Sequence, residues 1–295
     1  QLRICWQAIP KAASRILSRC LSGALGQALG ASDLPANQNE WEKVLRSASA
    51  HLAAPQLRWA LREQGLFSAL PADVAEYLEA VYTLNIDRNR ECEDQLAHLI
   101  QALNSIDVRP VLLKGAAALV GRLYPTSGER MISDLDILIP ARQLPEIFDK
   151  LASVGYRPWV YEGTELPDPV GFCSDHHYPP LVNTAWPTHV ELHVHPVHLG
   201  VAELLSSEEV FRDATKLAWR NGDCLLPSPT HFIAHNIIHA FLNDAKIHLK
   251  RLSLRQLFEF VLASRVYGER IDWNDIRNRF EGRGHGKALR QYLAL

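Results

Sequence analysis

The chain has 295 residues, enough for one large domain or two ordinary ones. Hydrophobic residues make up 47% and charged residues 22%, which is typical of a globular protein and excludes extended disorder. The formal net charge of −2 provides no overall basic field, which argues against nucleic acid as the partner. No apolar run approaches the ~18–20 residues of a membrane-spanning helix, so we expect no membrane insertion.

The five cysteines are scattered, odd in number and never spaced as Cys-x-x-Cys: Cys5, Cys20, Cys92, Cys173 and Cys224. This usage argues against a disulfide framework and against a structural zinc site. A reducing compartment is the expected setting, and we therefore predict a cytoplasmic protein.

Residues 1–104 have the pattern of a helical region. Ala, Leu, Glu and Arg dominate from about residue 10, and apolar residues recur every three or four positions. A loop is expected at 30–39 and a break at Pro71, and one long helix is predicted from about Val81 to Asn104.

Residues 105–200 change to strand character. The predicted strands and helices of this region are strands at 108–113, 131–139, 156–161, 176–182 and 188–195, and helices at 116–124 and 144–154. The last two strands are expected to form a hairpin through 183–187. Together these elements predict a small mixed sheet with helices on one side.

Residues 201–295 are predicted to be helical again, with a helix opening at Pro229, further helices at 252–265 and 273–280, and a flexible, basic segment at 282–287. The chain is therefore predicted to be an α+β protein, in which a mixed β-sheet core is flanked by N-terminal and C-terminal helical regions.

The predicted strand at 131–139 carries two carboxylates one residue apart. Side chains alternate along a strand, so Asp134 and Asp136 point to one face while Leu135, Ile137 and Ile139 point to the other, into a core. Two carboxylates on one face repel each other unless a cation lies between them. A hard divalent ion such as Mg²⁺ suits these oxygens together with the phosphates of a substrate.

A second strand, at 188–195, has a polar face of the same kind. Alternation places His189, Glu191, His193 and His195 on one side and a Val-Leu-Val set on the other. If this strand neighbours the first, Glu191 joins Asp134 and Asp136 as a third carboxylate, the arrangement that in-line phosphoryl transfer uses. The alternative is the solvent-facing side of an ordinary antiparallel sheet.

The motifs taken together resemble those of the nucleotidyltransferase-fold superfamily, and most closely a large bacterial family of nucleotidyltransferase proteins. The matching pieces are Leu113-Lys114-Gly115, Tyr124-Pro125, Arg130, Ser133 to Ile139, His176-His177, Glu191-Leu192-His193, and the pair His235 and His239. The resemblance covers roughly residues 40 to 280. It implies a minimal nucleotidyltransferase core at 105–200, with Asp134, Asp136 and Glu191 as catalytic metal ligands.

The resemblance also implies phosphate-binding roles, which we weigh against structural ones. The superfamily has Gly-Gly or Gly-Ser before its first helix, where this chain has Lys114-Gly115; Gly115 allows close backbone approach to a phosphate, and Lys114 adds a positive charge. Arg130 can clamp a phosphate or form an ion pair with Asp134 or Glu129. Ser133 can orient the metal ligands or sit in a plain turn.

Histidines and a basic segment complete the candidate set. His176 or His177 can face the site but not both, because neighbours in a strand point to opposite faces. His231, His235 and His239 share one helix face, where packing against the sheet is the alternative to ligation. Arg251, with its neighbours Lys250 and Arg255, can bind a triphosphate or form a solvated basic face.

The resulting hypothesis is an enzyme that transfers a nucleoside monophosphate from an NTP, ATP being one candidate, with Mg²⁺ or Mn²⁺ as cofactor. The acceptor can be a small molecule, a peptide or a protein. Two other classes stay open at this point. One is a binding or regulatory protein that keeps the fold without turnover, and the other is a hydrolase with zinc held by His193, His195 and His198.

Overall fold

A computed structural model describes residues 11–159, 177–243 and 253–295. The helices are α1 (Lys11–Leu21), α2 (Gln38–Ala50), α3 (Ala54–Glu63), α4 (Ala72–Asn104), α5 (Lys114–Val120), α6 (Leu144–Ser153), α7 (Ser207–Asp213), α8 (Pro229–Ile238), α9 (Leu254–Tyr267), α10 (Trp273–Gly282) and α11 (Gly286–Leu293). The strands are β1 (Val111–Leu112), β2 (Asp134–Leu138), β3 (Arg157–Pro158), β4 (Leu181–Val182), β5 (His189–His193), β6 (Thr215–Trp219) and β7 (Gly222–Leu226). The protein is α+β, as predicted.

The chain divides into two compact units. The first comprises residues up to Asp87, Pro125–Met131 and Ser253–Leu262; the second comprises Arg88–Tyr124, Ile132–Leu252 and Ala263–Leu295. Among the described residues, no helix is both long and apolar enough to cross a membrane.

The first unit is helical. α1, α2 and α3 pack around buried residues that include Leu17, Val44 and Leu57. Asn37 caps α2 by accepting a hydrogen bond from the Glu40 backbone N–H, which satisfies a donor that the first helical turn leaves open. The predicted loop at 30–39 lies just before this cap.

The second unit contains a seven-stranded mixed sheet in the order β3-β4-β5-β2-β1-β7-β6. β2 pairs in parallel with β5 and antiparallel with β1, and β1 pairs in parallel with β7. β4 and β5 form the expected antiparallel pair. Leu135, Ile137 and Ile139 are fully buried, so the predicted apolar face of β2 is confirmed.

Residues 215–226 correct the prediction of a wholly helical C-terminal region. They form the antiparallel pair β6–β7, whose two-residue turn has Arg220 at φ +50°. Asn221 is the second of the two turn residues and Gly222 follows it, a combination that is a hairpin signal in the sequence. The mixed sheet therefore draws two strands from beyond residue 200.

One predicted helix boundary and one predicted flexible segment also need correction. The long helix begins at Ala72, directly after Pro71, rather than at about Val81. The segment predicted to be flexible leads into α11, whose Leu289 and Tyr292 are buried. Tyr292 donates a hydrogen bond through its hydroxyl to Asn236 at 2.9 Å, which fixes this helix against α8.

Candidate functional site

The parallel pairing of β2 with β5 brings the predicted carboxylates together. Asp136 lies opposite Glu191 and Asp134 lies opposite His189 across the two strands. Residues two apart in a strand share a face, and directly opposed residues share it too, so all four side chains project from one side of the sheet. The condition on which the sequence argument depended, that the two strands be neighbours, is met.

Asp136 is the centre of a buried ionic cluster. Its side chain is fully buried, and its Oδ1 accepts hydrogen bonds from Lys114 Nζ at 2.6 Å and from His193 Nε2 at 2.8 Å. Burial alone would raise the pKa of Asp136, but the charges and hydrogen bonds of Lys114 and His193 outweigh it and hold the pKa well below its ordinary value. Asp136 is therefore an anion held by two donors.

The same interactions favour the cationic form of both donors. Burial acts to lower the pKa of Lys114, yet the charge of Asp136 raises it above its ordinary value. Burial also acts to lower the pKa of His193, and its hydrogen bonds to Asp136 and Glu191 raise it overall. The cluster thus combines two positive groups with carboxylates in a low-dielectric setting, where each interaction is stronger than in water.

Asp134 and Glu191 are more accessible than Asp136. Burial, followed by the charge of Asp136, raises the pKa of Asp134, whereas the hydrogen bond from His193 offsets burial and lowers the pKa of Glu191. Ser133 donates a hydrogen bond to Asp134 Oδ1 at 3.0 Å, and His189 Nε2 lies 3.9 Å from Glu191 Oε1. These two carboxylates can meet a ligand directly.

Lys114 reaches Asp136 from a left-handed backbone conformation. It follows β1, starts α5 and has φ +44°, a region in which a residue with a Cβ is strained by roughly 1–2 kcal/mol. The neighbouring backbone is anchored, because the Leu113 N–H donates to the Asp136 carbonyl at 3.0 Å. Strain of this kind is retained at functional sites when the surrounding structure enforces it.

The donor set fits a hard divalent cation. Asp134, His189 and Glu191 offer ligand atoms that lie within 4.8 Å of one another, and so do Asp136, Glu191 and His193. In addition, Asp136 Oδ2 is buried and has no hydrogen-bond partner among the described residues. Carboxylate oxygens in this number suit Mg²⁺ or Mn²⁺, and an unsatisfied buried carboxylate oxygen is a ready ligand.

Comparison with known proteins places the chain in a family. Residues 37–295 match a family described as uncharacterised nucleotidyltransferases. The chain belongs to this nucleotidyltransferase family. No curated protein matches it significantly. Among solved structures, the chain is similar to an antigenic nucleotidyltransferase-like protein from Paracoccidioides brasiliensis, with 14% identity and a TM-score of 0.37 over 68% of this chain and 93% of that one.

The family resemblance also singled out Arg130, Arg251 and His176. Arg130 belongs to the first unit and is buried there in an ion pair with Glu259, Nε to Oε2 2.8 Å, and it also donates to the Met131 carbonyl. We therefore interpret Arg130 as structural, with Glu259 as an ion-pair partner. Arg251 and His176 lie outside the described residues.

The histidines of the chain separate into site residues and packing residues. His177, which the sequence could not distinguish from His176, pairs with His193 across the sheet, and the two rings are 5.3 Å apart. His231 is buried beside Arg279, which lies 3.4 Å away, and packs rather than lines the site. His239 lies next to His235, with 6.1 Å between ring centroids.

His235 is the helical histidine that faces the cluster. It is buried, a ring nitrogen bonds the backbone of Pro196, and the charges that act on it are those of Lys114, His193 and Asp136. Its Nε2 has no partner among the described residues. By contrast, His193, His195 and His198 form no common metal-binding group, so the zinc site considered from the sequence is not assembled.

Proposed function

We propose that this protein is a Mg²⁺- or Mn²⁺-dependent nucleotidyltransferase that moves a nucleoside monophosphate from an NTP to a small-molecule, peptide or protein acceptor. The proposal rests on one observation: Asp136 lies directly opposite Glu191 across β2 and β5, and Asp134 is on the same face of the sheet. Membership of a nucleotidyltransferase family supports the same reaction class. The donor is a cytoplasmic metabolite, so the cytoplasm is the compartment that we propose.

In this reaction the acceptor oxygen attacks the α-phosphorus of the NTP. A new oxygen–phosphorus bond forms, the bond from the α-phosphorus to the bridging oxygen breaks, and pyrophosphate leaves with its electron pair. The acceptor also loses a proton. Glu191 is the group that we assign to take it, because its side chain is 15% exposed and its lowered pKa keeps it ionised at neutral pH.

Asp134, Asp136 and Glu191 would together hold the metal ion, which when bound neutralises the charge of the phosphates. His193 fixes Asp136 through its hydrogen bond, so that the carboxylate is positioned before substrate arrives. Ser133 orients Asp134 in the same way. These residues supply the positioning on which phosphoryl transfer mainly depends.

Lys114 and Gly115 are the phosphate-binding residues of the proposal. The Lys114 ammonium lies between the carboxylates of Asp136 and Glu191, at 2.6 Å and 3.9 Å. A positive charge at this point can meet the phosphates of the donor while it still balances Asp136. Gly115 follows it in the first turn of α5, and its lack of a side chain suits a close approach of the backbone N–H groups to a phosphate.

The test is calorimetric titration with ATP, GTP, CTP and UTP, with and without Mg²⁺, followed by a pyrophosphate-release assay. We expect wild type to bind one NTP in a Mg²⁺-dependent manner and Asp136→Asn to lose that dependence. Substitution of a residue that merely supports a metal ligand reduces metal affinity by ~10–100-fold, so loss of a ligand should reduce it by at least as much.

Asp149→Asn is the matched control, because Asp149 is an exposed acid on α6 and belongs to neither group of candidate metal ligands. It should behave like wild type. Thermal unfolding of each variant checks that the fold is retained. If the folded Asp136→Asn protein still binds NTP with full Mg²⁺ dependence, the assignment of Asp136 as a metal ligand is wrong.

A further inference from the structure

A cavity of about 340 Å³ opens beside the carboxylates in the second unit. Residues that line it include Arg88, Ser133, Asn183, Trp186, Thr188 and His189. Ser133 and Thr188 directly precede β2 and β5, so the cavity lies at the N-terminal ends of these strands. Its wall is shared with the site, because Ser133 hydrogen-bonds Asp134 and His189 lies 3.9 Å from Glu191.

The strand order places this cavity on a definite side of the carboxylates. β1, after which Lys114 begins α5, neighbours β2 on one side; β5 and β4, which contribute His189 and Val182 to the cavity, lie on the other. In-line transfer needs the attacking oxygen and the leaving pyrophosphate on opposite sides of the α-phosphorus. If Lys114 marks the phosphate side, the cavity marks the acceptor side.

The side chains of the cavity indicate what kind of molecule it takes. Arg88 Nε donates to the Ile132 carbonyl at 3.2 Å, and within the described part of the chain no acidic side chain forms an ion pair with its guanidinium. A half-buried guanidinium with free donors suits a carboxylate or phosphate, which it can bind through two parallel hydrogen bonds.

Trp186 adds a flat apolar surface. Its ring packs against that of His98 with 5.6 Å between centroids, and its backbone N–H donates to the Asn183 carbonyl at 3.0 Å, so the indole is held in place. A fixed aromatic ring beside a cation recognises a planar group that carries a negative charge. The volume lies at the low end of the range for small-molecule pockets, so the cavity fits a small molecule.

We propose that this cavity is the acceptor site, and that the acceptor is a small molecule with a planar ring and an anionic group that Arg88 binds while Trp186 stacks on the ring. The inference rests on the proposed function, since it names the acceptor class of that same site. In the transfer step the acceptor oxygen would reach the α-phosphorus from the His189 side, near Glu191.

The experiment uses phenyl phosphate and benzoate as probes, with benzyl alcohol as the uncharged comparison. Binding is followed by the indole N–H signal of Trp186 in nuclear magnetic resonance, assigned by its loss in Trp186→Phe. We expect the two anions to bind and benzyl alcohol to bind at least about tenfold more weakly. Arg88→Gln, which keeps a donor for the Ile132 carbonyl, should weaken the anions by a similar factor.

Arg142→Gln, at an exposed position, is the matched control and should leave probe binding unchanged. Saturating Mg²⁺ and NTP should change the affinity for the probes by less than about twofold, because the donor and the acceptor occupy different places. Displacement of the probe by NTP, or weaker NTP binding in Arg88→Gln, would assign the cavity to the donor and overturn the proposal. Probe binding that is absent, or unaffected by Arg88→Gln, would overturn it as well.

These outcomes are separable from failure of the proposed function. Wild type that binds NTP but not the probes contradicts only the acceptor site. Wild type that binds the probes through Arg88 but binds no NTP contradicts the nucleotidyltransferase reaction, and with it the acceptor role of the cavity.

Discussion

The stability of the protein should depend on pH through His235. This residue is 6% exposed on α8, and burial, reinforced by the positive charges of Lys114 and His193, lowers its pKa from 6.5 to about 3. The unfolded chain binds a proton at His235 with a pKa near 6.5. Between these two values the unfolded state holds more protons than the folded state, so stability falls as pH falls.

The magnitude follows from the two pKa values. At pH 8 both states leave His235 neutral and it contributes no pH-dependent difference. At pH 5 the unfolded state is stabilised by its proton by about 2 kcal/mol, whereas the folded state has gained almost nothing. We therefore expect His235 to remove about 2 kcal/mol from the free energy of unfolding between pH 8 and pH 5.

The assay is urea unfolding at pH 8, 6.5 and 5, comparing wild type with His235→Asn. The Asn amide keeps a donor for the Pro196 carbonyl but does not titrate. The other titrating groups are common to both proteins, so their contributions cancel. Between pH 8 and pH 5 the free energy of unfolding of His235→Asn should therefore fall by about 2 kcal/mol less than that of wild type. Agreement between fluorescence and circular dichroism transitions would justify the comparison of free energies.

His198→Asn is the control, because His198 is exposed and Asn can replace it as the cap of the 199–204 turn. It should follow the wild-type pH dependence. The reasoning is refuted if His235→Asn shows the same dependence as wild type.

Two further pairs of substitutions test a backbone feature and a packing feature. Lys114→Gly and Lys114→Ala both remove the ammonium, but only Gly relieves the strain of a φ of +44°. In urea unfolding the Gly variant should therefore be more stable than the Ala variant by about 1–2 kcal/mol. Equal stability of the two variants would show that this backbone is unstrained. Gly128→Ala would place a Cβ 2.3 Å from Tyr82 and 2.7 Å from Ile86. This clash should lower the free energy of unfolding by about 1–3 kcal/mol and lower the melting temperature. Gly282→Ala is the control and should not destabilise the protein, because its Cβ would have no atom within 4 Å. A Gly128→Ala protein as stable as wild type would mean that this contact relaxes freely.

The faces of the two site strands could be predicted from sequence because strand alternation is a local property. Asp134 and Asp136 had to share a side, and so did Glu191 and His193, whatever their neighbours. The pairing of β2 with β5 is a tertiary property, and the sequence could state it only as a condition. The parallel register that opposes Asp136 to Glu191 comes from the structure.

Charged residues were harder to place because their partners are distant in sequence. Arg130 pairs with Glu259, 129 residues away, and no local pattern identifies that partner. Lys114 could be assigned a positive charge near phosphates, but its hydrogen bond to Asp136 needs β1 and β2 to be adjacent. Which of His176 and His177 faces His193 depends on strand register in the same way.

Some strands are shorter in the structure than the sequence pattern predicts. The predicted strand at 108–113 is only Val111–Leu112, because Pro110 before it has no backbone N–H to donate and Leu113 after it is the N-cap of α5. The β6–β7 hairpin departs from the predicted helical tail because β7 pairs with β1, a tertiary contact that the composition of the tail does not show.

The position of β7 limits how the protein can be divided. β7 pairs with β1 along the side that faces away from β2, and it comes from residues 222–226. A fragment ending at residue 200 would leave the apolar β1, which carries Lys114 at its end, with an unpaired backbone open to other chains. Such edges promote aggregation, so the carboxylate strands should be studied only with the β6–β7 hairpin attached.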